Sequence, residues 1–189
     1  MDIEWSAHRF SGGMLAFDLA NTVIYREDPR RRDDRLVHTD QINTFAVAAI
    51  QFNSDRIGEK KATSAISAEE FTKIIALREC VDTYFRARVR KAGDGLFGLS
   101  NLLLALADAV KVNNANAFHT QVALSALRLL GEEQASRTRI CPNCHWLVFD
   151  KSKNGSRVWC DMAVCGNRHK ARLNYQRRRG IGDLETSLT

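Results

Sequence analysis

A mainly α-helical N-terminal domain followed by a small C-terminal module of one β-hairpin and one helix is the fold the sequence predicts. Three observations predict it. Before position 136, apolar residues recur at helical spacing and no alternating strand pattern stands out. Only two prolines, Pro29 and Pro142, interrupt 189 residues. After 136, four of the five cysteines fall between positions 141 and 165 and run straight into an arginine-rich stretch.

The helices can be placed in order. Leu15, Leu19 and Val23 predict a first helix over about 13–25. The run from Arg26 to Arg35 mixes both signs of charge around Pro29 and reads as a solvated connector. A second helix is expected over 40–52, capped by Thr39 or Asp40. Ser67 and Glu70 have the spacing of a capping box, in which each side chain satisfies a backbone donor of the other. That box opens a long helix with Phe71, Ile74, Ile75, Val81, Phe85 and Val89 along one face, closed by Gly93-Asp94-Gly95. Leu99, Leu103, Leu106 and Val110 mark a fourth helix, and Phe118, Val122, Ala126 and Leu129 a fifth. The predicted boundary divides residues 1–136 from 137–189, with 136–138 as the joint.

Cys141-x-x-Cys144, a fifteen-residue gap, then Cys160 and Cys165 is the spacing of a structural zinc site. A tetrahedron of four thiolates holds one ion and leaves no open position for water or substrate, so the site is structural, not catalytic. His145 and His169 could substitute as ligands, but four sulfurs already complete the shell, and neither histidine is assigned to it. Cys141 to Cys144 reads as a knuckle. Residues 146–150 and 156–160 are strand-like around Asn154-Gly155, and a helix begins near Cys165. The arrangement is treble-clef-like.

Charge is unevenly spread. The formal net charge is +6, yet residues 1–136 hold 17 Lys/Arg against 18 Asp/Glu, and residues 137–189 hold 11 against 4. Asymmetry of this kind points to a polyanionic partner at one end. Arg168, Lys170, Arg172, Arg177, Arg178 and Arg179 lie on the last helix. At 100° per residue, Arg168, Arg172, Tyr175 and Arg179 share a face, with Leu173 and Met162 on a narrow apolar side. Guanidinium forks suit phosphates and guanine edges. The same charges could instead solubilise a tail or dock on the helical domain, and Arg168 could pair with Asp150 or Asp161.

The segment from Cys141 to Arg179 resembles the CGNR zinc finger family. The resemblance is carried by Cys141-Pro142-Asn143-Cys144, Phe149-Asp150, Ser156-Arg157-Val158-Trp159-Cys160-Asp161-Met162 and Cys165-Gly166-Asn167-Arg168-His169-Lys170. In that family the finger follows an ABATE domain in bacterial proteins described as stress-induced transcription regulators. Leu15-Ala16-Phe17-Asp18-Leu19-Ala20-Asn21-Thr22 and Leu77-Arg78-Glu79 are similar to motifs of that domain. The resemblance implies Cys141, Cys144, Cys160 and Cys165 as zinc ligands and a helical DNA-binding finger.

Within the helical domain, Arg78 falls inside an apolar stripe and needs a partner. Asp82 or Asp18 is the expected one; alternatively Arg78 and Asn21 line a pocket for a small anionic effector. Cys80 is expected to serve packing. No phosphate-cradling glycine motif, nucleophile elbow or paired-histidine motif is present. Gly93-x-Gly95-x-x-Gly98 lacks the preceding strand that a dinucleotide site requires, so no enzyme is expected. No apolar run is long enough to span a bilayer and the N-terminus has no signal-peptide pattern, so a cytoplasmic location is expected. The reading is a DNA-binding transcription regulator whose helical domain senses an effector or forms a homodimer. The alternative is a zinc-stabilised protein-interaction module. RNA in place of DNA is not separable at this stage, though few aromatics accompany the basic helix.

Overall fold

The computed structural model describes residues 3–52, 55, 66–92, 95–111, 114–115 and 117–179. A 3-10 turn (Ala7–Phe10) precedes the short helix α1 (Leu15–Ala20), then a two-residue antiparallel ladder of β1 (Val23–Ile24) and β2 (Asp33–Asp34). Four helices follow, α2 (Thr39–Phe52), α3 (Ala68–Arg90), α4 (Gly95–Val110) and α5 (Phe118–Arg128), then one more turn of helix, α6 (Glu132–Arg137). The last part contains β3 (Thr138–Ile140), β4 (Leu147–Phe149), a π-helical turn (Met162–Gly166) and α7 (Asn167–Arg178).

Every residue of α1 is buried, which makes this six-residue helix the centre of the molecule. α3, α5 and β4 pack around it. Phe17 meets Phe85 of α3 edge-on at 5.1 Å between ring centres, and Phe10 stacks on Phe45 of α2 at 5.2 Å. The core continues through Ile74, Leu77, Leu102, Val122 and Leu129, and it includes Leu147 from β4.

The expected helix over 13–25 is shorter in the structure. The Thr22 hydroxyl donates to the Leu19 carbonyl at 2.7 Å, and at Asn21 the chain leaves the helix for β1. Such a side-chain bond back to the helix offers the backbone an alternative to another helical turn. The second helix starts at Thr39, and the capping box of the third forms: Ser67 Oγ accepts from Glu70 N at 3.2 Å, and Glu70 Oε2 from Ser67 N at 2.9 Å. α3 ends on Lys91, which takes a left-handed conformation (φ 52°); Gly93 and Asp94 lie outside the described residues. In α4 the buried stripe is Leu102, Leu106 and Ala109, so Leu103 and Val110 face outward, contrary to expectation. The joint at 136–138 is the end of α6 running directly into β3.

The mixed-charge connector is not simply solvated. Arg78 of α3 is buried, and its two terminal nitrogens reach Asp34 at 2.7 and 2.6 Å. Its Nε donates to Glu79 at 2.9 Å and one terminal nitrogen to Thr22 Oγ1 at 3.3 Å. The partner of Arg78 is therefore Asp34, not Asp82 or Asp18, because the ladder folds Asp34 back over α3. Asp82 instead pairs with Arg86 at 2.7 Å and with Arg26 at 3.3 Å, while Arg26 also bonds Glu79. Glu27 closes the set on Arg90 and Arg86.

Burial alone would raise the Asp34 carboxyl, but hydrogen bonds and charge from Arg78 hold it below its ordinary value. A carboxylate held low contributes stability that is complete above its unfolded pKa and is lost as pH falls through its folded pKa. Asp34→Asn should cost about 3 kcal/mol at pH 7, since it leaves the buried Arg78 short of a charge partner. The gap between variant and wild type should begin to narrow below about pH 4 and close only as the Asp34 carboxylate is protonated at lower pH. Urea denaturation at pH 7 and at graded acid pH reads this directly, and equal midpoints at pH 7 would rule the pair out as a stabilising one.

Candidate metal centre and basic helix

The metal centre is built on a hairpin. β3 pairs with β4 in the register Thr138–Phe149, Arg139–Val148 and Ile140–Leu147. Between the strands, Cys141 N donates to Trp146 O and His145 N to Cys141 O, each at 2.8 Å. His145 takes φ 63° to complete the reversal. These bonds turn the knuckle so that Cys141 and Cys144 face the same point.

The hairpin differs from the one the sequence suggested. The strand partner of Leu147–Phe149 lies upstream of the knuckle, and residues 156–160 form no strand. The physical reason is that the other edge of β4 is already taken. Asn21 Nδ2 donates to Leu147 O and Asn21 Oδ1 accepts from Leu147 N, both at 2.9 Å, and Phe149 N donates to Gly12 O at 2.8 Å. Gly13 beside it has φ 82°, and a Cβ there would meet Phe149 O at 2.9 Å, so the approach requires glycine. Residues 151–157 instead fold around Asp150, whose carboxylate accepts from Ser152 N and Arg157 N at 2.8 Å each. Asn154-Gly155 does lie in a turn, Gly155 with φ 61°.

The second pair of sulfurs flanks the start of the π-helical turn, Cys160 just before its cap and Cys165 within it. The Asp161 carboxylate caps it by accepting from Ala163 N at 2.8 Å and Val164 N at 3.2 Å, and Cys165 projects from its last part. A Cβ on Gly166 would meet Trp159 Cδ1 at 3.3 Å and the Met162 sulfur closer still. Glycine lets the turn close over that indole.

The four ligand atoms of Cys141, Cys144, Cys160 and Cys165 all lie within 4.8 Å of one another, with Cys144–Cys160 at 3.4 Å and Cys160–Cys165 at 3.3 Å. Zinc–thiolate bonds of 2.3 Å in a tetrahedron require sulfur separations of about 3.8 Å, which this cluster brackets. Sulfurs so close cannot all ionise unaided. Hydrogen bonds from Cys144 and Cys160 push Cys141 down, while the same contacts with Cys141 push Cys144 and Cys160 up. A central divalent cation removes that conflict. Asn143 Nδ2 donates to Cys165 Sγ at 3.4 Å, the kind of support that orients a ligand. The site holds one structural zinc ion. His145 is bonded to Glu27 at 3.0 Å, and the His169 ring packs on Trp159 at 4.8 Å. Among the described residues the group that could hold a metal is the four cysteines.

Residues that sequence reasoning missed join this centre to the helices. Arg157 donates to Ser11 O at 2.8 Å, to Trp159 O at 3.0 Å and to Cys160 O, tying a ligand's backbone to the N-terminal segment. His8 bonds Asp161 at 3.0 Å and stacks on Trp146 at 5.4 Å. Arg86 donates to His145 O at 2.8 Å. Arg157 stands three residues before a ligand, a signal that could have marked it; His8 and Arg86 carry no local signal.

α7 starts directly from the π turn and buries no residue. Arg168, Lys170, Arg172, Arg177, Arg178 and Arg179 are all exposed. Among the described residues, none of the six forms a salt bridge; Arg172 meets the His169 ring at 3.2 Å and Arg179 lies over Tyr175 at 4.6 Å. Arg168 pairs with neither Asp150 nor Asp161, which are engaged as described above. The apolar side is unpacked, with both Met162 and Leu173 exposed. Asn21 and Arg78, the two residues considered for an effector pocket, direct their polar atoms at Leu147 and at Asp34, Glu79 and Thr22.

Residues 137–178 match the family described as CGNR zinc finger. No curated protein matches the chain. No helix among the described residues is long and apolar enough to cross a membrane.

Structural zinc supplies roughly 10–16 kcal/mol to modules of this kind. Cys160→Ala should therefore reduce the bound metal from one equivalent to a trace and lower the thermal midpoint of the entire chain, because Leu147 belongs to the helical core. Metal analysis and calorimetry on the purified variant test both effects. Retention of a full equivalent would contradict the assigned ligand set.

Proposed function

We propose that the chain is a DNA-binding transcription regulator of the bacterial, cytoplasmic type, in which the zinc finger presents α7 to duplex DNA. The observation that carries this reading is the condition of α7 and its C-cap Arg179: six cations, no acidic partner among the described residues and no buried residue. A helix that buries no residue gains little stability from tertiary packing. At twelve residues it is about 18 Å long, and a helix fits the major groove, about 12 Å wide. Arg168, Arg172 and Arg179 would meet phosphates along one face, and Lys170 and Arg177 the opposite wall. One or two arginines would read guanine edges.

The helical part fits the role of an ABATE-like regulatory domain that responds to stress through a small anionic effector or through self-association. No catalytic constellation is part of this proposal. A cavity of about 560 Å³ is lined by Asp34 together with Arg9 and Arg35, and also by Glu4 and Asp33.

A second reading has its own observation. Val158, Met162 and Leu173 are exposed beside α7, the first two lining a shallow cavity of about 380 Å³. Such a surface suits a protein-interaction module whose partner offers apolar as well as acidic groups.

Binding to a random duplex pool at near-physiological salt separates the two. Enrichment of a common motif supports the regulator, and none supports the protein-interaction module. For the regulator, replacing Arg172 and Arg179 by alanine should weaken DNA binding and reduce the slope of log K against log salt by about 2. An unchanged affinity and slope would defeat the assignment of α7 to the phosphates.

A further inference from the structure

Arg35 is a buried arginine that the fold leaves without a partner. It is 9% exposed, yet among the described residues its guanidinium makes no hydrogen bond, ion pair or ring contact. Its backbone is anchored, Arg35 N donating to Thr22 O at 3.2 Å. The adjacent carboxylate is already taken. Asp34 gives both oxygens to Arg78, at 2.7 and 2.6 Å, and one of them also accepts from Leu36 N at 3.0 Å. A shielded cation without a partner is costly, and folded proteins rarely keep one.

The side chain of Arg35 lines the cavity of about 560 Å³ that lies between the 3-10 turn, β2 and the start of α2, a size within the range of small-molecule sites. Arg9 lines it from the turn, also without a hydrogen bond or ion pair among the described residues. Burial holds the Arg9 guanidinium below its ordinary value, although the charges of Asp33 and Glu4 act the other way. Gln41 adds a donor. Its Oε1 accepts from Val37 N at 2.6 Å and His38 N at 2.9 Å, while its amide nitrogen has no partner among the described residues. Glu4 and Asp33 complete the charged lining, and both are exposed. The cavity therefore runs from a buried cation inside to two carboxylates at its mouth.

We infer that this cavity binds a small amino-acid-type zwitterion, its carboxylate held by Arg35 and Arg9 and its ammonium turned towards Glu4 and Asp33. A guanidinium fork meets a carboxylate with two parallel hydrogen bonds, and Arg35 has both to give. A polyanion such as a nucleotide would bring its remaining charge against the carboxylates at the mouth. A simple amine would leave Arg35 unanswered. A ligand with one charge of each sign satisfies both ends. Asp34 stands in this wall and in the Arg78 pair, so the ligand sits beside the charge network of α3. The inference deepens the effector-sensing part of the proposed function and is independent of any contact between α7 and DNA.

The test uses the zinc-loaded full chain without DNA, with the twenty common L-amino acids offered one at a time. At about 10 mM, one or a few of them should raise the thermal midpoint by several degrees, and calorimetric titration then gives the Kd. Arg35→Met should weaken that Kd by about tenfold or more, as should Arg9→Gln. Arg9 is only partly buried, so Arg9→Gln gives the same reading should Arg35→Met fold poorly. The methyl ester of the bound amino acid, which lacks the carboxylate, and its N-acetyl form, which lacks the ammonium, should each bind at least about tenfold more weakly. No shift with any of the twenty overturns the inference. So does a Kd unchanged in both variants, or equal binding of the ester or the N-acetyl form. Amino-acid binding by a chain that enriches no DNA would sink the regulator reading and leave this site standing; DNA enrichment without amino-acid binding would do the reverse.

Discussion

The side-chain amide of Asn21 holds the backbone of Leu147 through two hydrogen bonds of 2.9 Å, and much of the architecture follows from that pair. An asparagine amide offers one acceptor and a donor group, the complement of a peptide's free edge. Here it takes the place of a strand beside β4, with Gly12 extending the mimicry one pleat further. The edge of a two-stranded hairpin is thereby closed inside the protein, and Leu147 can enter the helical core without leaving its N–H and carbonyl unsatisfied. The same bonds explain why α1 stops so early. Its last turn gives up helical continuation to aim Asn21 at the finger.

Because of this junction Leu147, with Ile140 and Phe149 beside it, joins the helical core while the cysteines, Trp146 and Val148 form a second core of their own, and the orientation of α7 is fixed from two directions. Zinc fixes the position of Cys165 relative to the knuckle, and Asn21, Arg157, His8 and Arg86 fix the knuckle and the π turn relative to α1 and α3. Arg86 matters doubly, since its Nε and one terminal nitrogen hold Asp82 while the other terminal nitrogen donates to His145 O. A change in the charge network around α3 is thus within one residue of a zinc ligand. That is a physical route by which the helical part could alter how the finger is held.

Elements whose cause is local could be read from the sequence. The Ser67–Glu70 box, the run of α5 and the four-cysteine spacing each depend on residues a few positions apart, and the structure contains them. What failed was non-local. The partner of Arg78 depended on a connector folding back, and mixed charge around a proline gave no hint that Asp34 would be the carboxylate delivered. The hairpin was misassigned because two candidate strands flanked a good turn, while the decision rested on Gly12 and Asn21 more than a hundred residues away. α4 was misread for a different reason. Apolar residues occupy both its faces, so periodicity could not tell the stripe that meets the core from the one that meets solvent.

The distribution of arginine partners separates two uses of one residue type. Arg26, Arg78 and Arg86 are each held by at least two carboxylates, in positions shielded from water. Removing one carboxylate leaves a shielded charge short of a partner, so these groups serve the fold. On α7 the same guanidinium groups stand in solvent with no carboxylate in reach among the described residues, and they repel one another along a helix with no packing of its own. Such a helix would gain stability from shedding charge. In the proposed reading, phosphate, with acceptors on every side, would meet the five cations of α7 and the adjoining Arg179 more completely than a surface carboxylate would.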